Sequence, residues 1–133
     1  MRLYFENPVG RVLEHPDGYA VMRYAAGPRD LATFQALLTH TNHLLRRHGW
    51  HQILTDERAM APFTEEERTW FNEFWLARSA SDNYELYGAV IVPQDVFTRL
   101  SLNLIMNDSR QSALTYRLFD TEAEAVAWLR RRR

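Results

Sequence analysis

The chain has 133 residues, 46% of them hydrophobic and 13% aromatic, and a formal net charge of −1. That is one domain's worth of chain, too apolar and too evenly charged to stay disordered, with no global field to draw in nucleic acid or an anionic membrane. All 16 basic residues are Arg and there is no Cys, which excludes Lys Schiff-base chemistry, a phosphate-loop Lys, disulfides, thiolate catalysis and Cys-based zinc sites. The lack of Cys fits a cytoplasmic setting. The opening MRLYFENPVG has neither the apolar core nor the cleavage pattern of a signal peptide. No apolar run approaches the roughly 20 residues that a membrane helix needs.

In chain order, LYFEN, RVLEH and YAVMRYA read as strands, the last two joined by the turn signal HPDG at 15–18. Gly27-Pro28 breaks that pattern, and a helical period starts after Asp30, a plausible N-cap. Leu31, Phe34, Leu38, Leu45 and His48 lie along one side, with Leu37, Thr41 and Leu44 beside them. Arg46, Arg47 and His48 suit the negative end of the helix dipole, and Gly49 is a fitting C′ residue. HQILT, 51–55, is the next strand. Pro62-Phe63-Thr64 opens a second helix, where Thr64 and Glu67 form a capping box and Glu65 to Glu67 favour the positive end. The triple Glu is explained by helix initiation alone.

YGAVIVP, 87–93, is a short β-branched run of the kind buried on both faces in a parallel sheet. A helix from Asp95 to about Met106 follows, with Phe97, Leu100 and Leu104 expected inward. NDSRQS reads as a loop and LTYRLF, 114–119, as a strand. Thr121 and Glu124 then cap a last helix whose inner face is Ala125, Trp128 and Leu129. Repeated strand-helix units predict right-handed crossovers and a largely parallel core, with an antiparallel N-terminal part.

Two groups of residues stand out as candidates. Asp56, Glu57 and Arg58 lie at the C-terminal end of an expected central strand, the edge where open α/β sheets usually bind ligands. Continued strand geometry puts Asp56 and Arg58 on one face and Glu57 on the other. The same residues also read as a solvated corner or an ion pair fixing the loop. The second group is aromatic: Trp70 with Phe74, and Phe71 with Trp75, form adjacent ridges at helical spacing. One ridge must pack on the sheet. The other reads as more core, as a pocket wall or as a self-association face. Other chemistry finds little support. His40 and His43 are three apart on the first helix without an evident third ligand, and there is no H-E-x-x-H. Ser79, Ser81, Ser101, Ser109 and Ser112 lack a nucleophile-elbow context, and the five Gly form no phosphate cradle. The Arg130–Arg133 run reads as a helix end suited to the dipole.

The ending YRLFDTEAEAVAWLRRR resembles the last strand and helix of the STAS/SpoIIAA-like family, through Phe119, Thr121, Glu124, Ala125, Trp128 and Leu129. HQILTD, an acidic-aromatic helix and the buried strand YGAVIV extend the likeness from about Arg11 onward. The resemblance implies a small α/β domain that works by binding, without catalysis. Anti-sigma factor antagonists of that family bind a kinase-like partner and are switched by phosphorylation of a Ser between a central strand and the next helix. The related CRAL-TRIO domains bind apolar ligands. Here no Ser lies between Ile53 and Phe63, and the nearest hydroxyls are Thr55 and Thr64. A phosphate on Thr64 would meet Glu65, Glu66 and Glu67, so the phosphoswitch is not carried over.

The sequence thus predicts one α/β domain over 1–133: a mixed, mostly parallel sheet with antiparallel N-terminal strands and about four helices. The expected function is protein contact, with a partner or with a second copy, without enzyme activity, metal or cofactor. Asp56, Glu57, Arg58, Trp70, Phe74 and Trp75 are the expected contact residues. The alternative is carriage of an apolar small molecule against the aromatic helix.

Overall fold

The computed structural model describes residues 1–76, 84–108 and 114–132. Ser79, Ser81, Ser109, Ser112, Arg133 and most of the NDSRQS segment lie outside the described residues. The N-terminal residues form an antiparallel meander: β1 (Arg2–Asn7), β2 (Gly10–His15) and β3 (Tyr19–Tyr24). Gly18, with φ of 89°, closes the β2–β3 turn in a conformation that side chains disfavour. Then come α1 (Leu31–His48), β4 (Gln52–Asp56) and α2 (Glu65–Trp70), which runs into a π-helical turn, Phe71–Leu76. β5 (Leu86–Ile91), α3 (Val96–Asp108), β6 (Leu114–Phe119) and α4 (Glu122–Arg131) complete the order.

The six strands are laid side by side in sequence order, β1 to β6, and every pair from β3 onward is parallel. An order that always advances in one direction, with crossovers of constant hand, sends every crossover helix to the same face. The core agrees. Val12, Met22, Tyr24 and Ile53 of the sheet pack with Phe34, Leu37 and Leu38 of α1, with Phe71 and Trp75, and with Ile105 of α3. The opposite face carries Tyr19, Val21, Leu54, Ala89 and Ile91, and Ala125, Trp128 and Leu129 of α4 cover it. Alternation of side chains along β3, β4 and β5 serves both layers, and all five residues of β4 are buried.

The local signals act as their chemistry requires. The Asp30 side chain accepts from the Thr33 N–H, and Gly49 takes the left-handed conformation, φ 64°, that ends α1. Thr64 and Glu67 form a complete capping box on α2. At α4 the Thr121 hydroxyl accepts from the Glu124 N–H and donates to the Glu124 carboxylate. Two inward assignments are corrected. His48 is exposed; it meets Glu14 at 2.9 Å and stacks on Trp50. Phe97, Leu100 and Leu104 of α3 face solvent, while Thr98, Leu102 and Ile105 face the sheet. α3 has apolar residues on both sides, so periodicity alone cannot choose. Polar partners decide its rotation: Asp95 accepts from the Thr98 N–H and hydroxyl, and the Ser101 hydroxyl accepts from the Phe63 N–H at 3.0 Å.

Candidate functional site

The charged corner is the end of β4. Asp56 points to the α4 face, where Arg58 holds it with two side-chain bonds of 2.9 and 2.8 Å and Arg23 adds a third at 2.9 Å. The same Arg23 nitrogen donates to Glu122, the first residue of α4, at 2.7 Å. Two cations and two carboxylates therefore close into a neutral network joining β3, β4 and α4. Burial pushes the Asp56 carboxyl up, but the bonds and charges of Arg58 and Arg23 outweigh it and hold the carboxyl below its ordinary value. Each carboxylate already has its cation, so the arrangement works as a clasp.

Glu57 goes the other way. It is 4% exposed and lies on the opposite side of the sheet from Asp56, in an apolar space between the sheet, the aromatic helix and α3. Its backbone N–H donates to the Ile91 carbonyl and its carbonyl accepts from the Met60 N–H, so the main chain is satisfied. The side chain is not: its Oε1 is buried and has no hydrogen-bond partner among the described residues. Burial raises the Glu57 carboxyl to about 8; the Arg29 charge opposes this and Asp56 adds to it. Two adjacent acids in the chain thus sit in opposite electrostatic states, because strand alternation turns one to paired cations and the other to aromatic rings.

The space beside Glu57 is about 30 Å³, with Tyr24, Phe63, Phe71, Trp75 and Tyr116 among its walls. Trp75 Nε1 donates to the Tyr116 hydroxyl at 3.0 Å, fixing both rings. Tyr116 reaches this position by lying across Gly88, its neighbour on β5, where any added Cβ would strike the ring. Burial raises the phenols of Tyr24 and Tyr116, keeping them neutral. The sequence reading missed Tyr24 and Tyr116. Gly88 inside an otherwise β-branched strand was the available signal, since such a glycine marks a close approach.

The aromatic helix divides its two ridges. Phe71 and Trp75 are buried and stacked. Trp70 is half-buried with its edge on Phe34, and Phe74, stacked on Trp70, is 54% exposed. Trp70, Phe74 and Trp75 line an open groove of about 240 Å³ against Leu38, His43 and Arg46 of α1. A second apolar surface is the outer side of α3, where Val96, Phe97, Leu100 and Leu104 are 49 to 72% exposed. It lies in the part of the fold where β6 ends the sheet, with exposed Leu118 on that strand.

The helix-start carboxylate Glu67 is buried with Arg29, which binds it at 2.8 and 2.7 Å and also donates to the Ala61 and Pro62 carbonyls. That pair anchors the β4–α2 connection. His40 stacks on Phe5 and sits edge-on to His43. Among the described residues no three His, Asp or Glu converge as metal ligands, and no helix is long and apolar enough to cross a membrane.

No family model, no curated protein and no solved structure matches the chain.

Proposed function

We propose that the protein is a non-enzymatic binding module, of STAS/SpoIIAA-like kinship, that acts by contact with another protein, the simplest partner being a second copy of itself. The observation that carries this reading is the outer face of α3. A helix that needs only to cover its sheet keeps its outer side polar. Here Val96, Phe97, Leu100 and Leu104 make an apolar stripe on that side of the helix that leads to the last strand of the sheet. Such a stripe marks an interaction surface, and a strand that ends a sheet offers backbone groups for pairing. The sheet's other end is less suited. β1 is interrupted by a bulge between Leu3 and Phe5 and carries Arg2 and Glu6 in surface ion pairs. A cytoplasmic setting belongs to the same reading and rests on the lack of Cys.

The test is sedimentation velocity over a wide concentration range, on the wild type and on a Phe97→Ser, Leu100→Ser double variant. Concentration-dependent association in the wild type, lost in the variant, is the expected result. A wild type that stays monomeric throughout overturns self-association.

A second reading, carriage of a small molecule, is favoured by one observation: the aromatic-walled space beneath α3 with a carboxyl oxygen that no described residue satisfies.

A further inference from the structure

The space beneath α3 has a defined chemistry, and the inference drawn from it rests on the carriage reading. Its walls are aromatic rings from three directions: Tyr24 and Tyr116 from the sheet, Phe63 before α2, and Phe71 and Trp75 after it. Among the described residues its single acidic group is Glu57, 96% removed from solvent, with Oε1 buried and no partner among them. A buried acceptor without a donor costs free energy on the order of 1–3 kcal/mol, more if charged. Most folds avoid that cost by pairing the group or replacing it with an apolar one. Neighbouring charges do not serve it. Arg29 is committed to Glu67 and to two carbonyls, and Asp56 faces the other side of the sheet.

We propose that this space is a binding site for a small apolar molecule bearing one amine, with the ammonium on Glu57 Oε1 and the apolar body among the aromatic rings. Each part of the site fits one part of such a ligand. Ring faces attract a cation as well as covering hydrocarbon. A carboxylate accepting from N⁺–H makes one of the stronger hydrogen bonds available to a protein. A ligand with no donor would leave Oε1 as it is now.

The space at rest, about 30 Å³, holds a water molecule or two and no organic ligand. Entry therefore requires α3 to lift. α3 is suited to that. Its inward hold is short: Thr98, Leu102 and Ile105 are buried and the Ser101 hydroxyl accepts from the Phe63 N–H, while Leu102 and Ile105, with Met106, line the space. Displacement breaks the Ser101–Phe63 bond and uncovers Leu102 and Ile105, a cost that contact of the same apolar side chains with a ligand offsets.

The experiment is calorimetric titration of the full chain at pH 8.5, above the folded value of Glu57 and where the amine is still protonated, with benzylamine and, separately, with toluene, alongside fluorescence of the tryptophans, one of which is a wall of the site. Benzylamine is expected to bind at least about tenfold more tightly than toluene, a difference of one hydrogen-bonded charge pair. In the isosteric variant Glu57→Gln that preference is expected to disappear while toluene binding persists. Equal binding of the two probes by the wild type overturns the amine proposal and leaves carriage standing. Binding of neither overturns both. The wild-type ratio alone decides the matter if the variant fails to fold.

Discussion

α1 and α3 cross the same face of the sheet and are held to it in different ways. α1 puts nearly all its large apolar side chains inward: Phe34, Leu37, Leu38, Leu44 and Leu45 are buried, only Leu31 at its start is half-buried, and a cap closes each end. α3 divides its apolar residues, Leu102 and Ile105 inward against Val96, Phe97, Leu100 and Leu104 outward. The first distribution maximises burial within one chain. The second leaves apolar surface unspent on the fold, and so available to something else. Stability is therefore concentrated on the α1 side, and binding is expected on the α3 side.

That comparison breaks if the two helices respond alike to substitution. Phe34→Ala is expected to cost about 3–5 kcal/mol in urea denaturation, since it empties the centre of the α1 layer. Removing Glu67 strands Arg29, whose side chain is 3% exposed. Glu67→Ala should therefore also cost roughly 3–5 kcal/mol, seen as a lower Tm.

Glu57 sharpens the contrast through pH. Its folded value of about 8 lies above the ordinary 4.5, so the native state holds an extra proton between those limits. Stability from this group is fully present below the ordinary value and is lost as pH rises toward 8. The total change is on the order of 5 kcal/mol. Denaturation of wild type and Glu57→Gln at pH 5 and pH 9 should show the variant gaining on the wild type at the higher pH. Parallel behaviour would mean that Glu57 is not held neutral. Arg58→Ala, at the half-exposed end of the corner network, should cost no more than about 1 kcal/mol by thermal denaturation. Smallest of all, Leu100→Ser on the outer face of α3 should change monomer stability by less than about 0.5 kcal/mol, measured at a concentration too low for association.

Much of the fold was legible in the residues. Asp30, Thr64 and Thr121 marked helix starts because side-chain capping is local chemistry, and Gly49 marked an end for the same reason. The apolar run YGAVIVP, 87–93, announced a strand covered on both faces, and β5 runs over Leu86–Ile91. The rotation of α3 was not legible. It depends on Ser101 meeting the Phe63 N–H, a contact 38 residues apart in the chain. At the corner, alternation correctly separated Glu57 from Asp56 and Arg58. It did not show what Glu57 would face, because Tyr24 and Tyr116 come from strands far away in sequence. Arg23 and Glu122, which complete the Asp56 network, were equally invisible for that reason.

The unbroken strand order has a consequence for how the chain reaches its native state. Each strand pairs with the one made just before it, so no strand waits for a later segment to complete its neighbour on the N-terminal side. Pairings of that kind keep sequence separations short for a sheet with parallel crossovers, which favours rapid folding. During synthesis the β1–β2–β3 meander can form first, and each emerging helix and strand adds to an edge already in place. The growing edge moves along the sheet with the chain and comes to rest at β6.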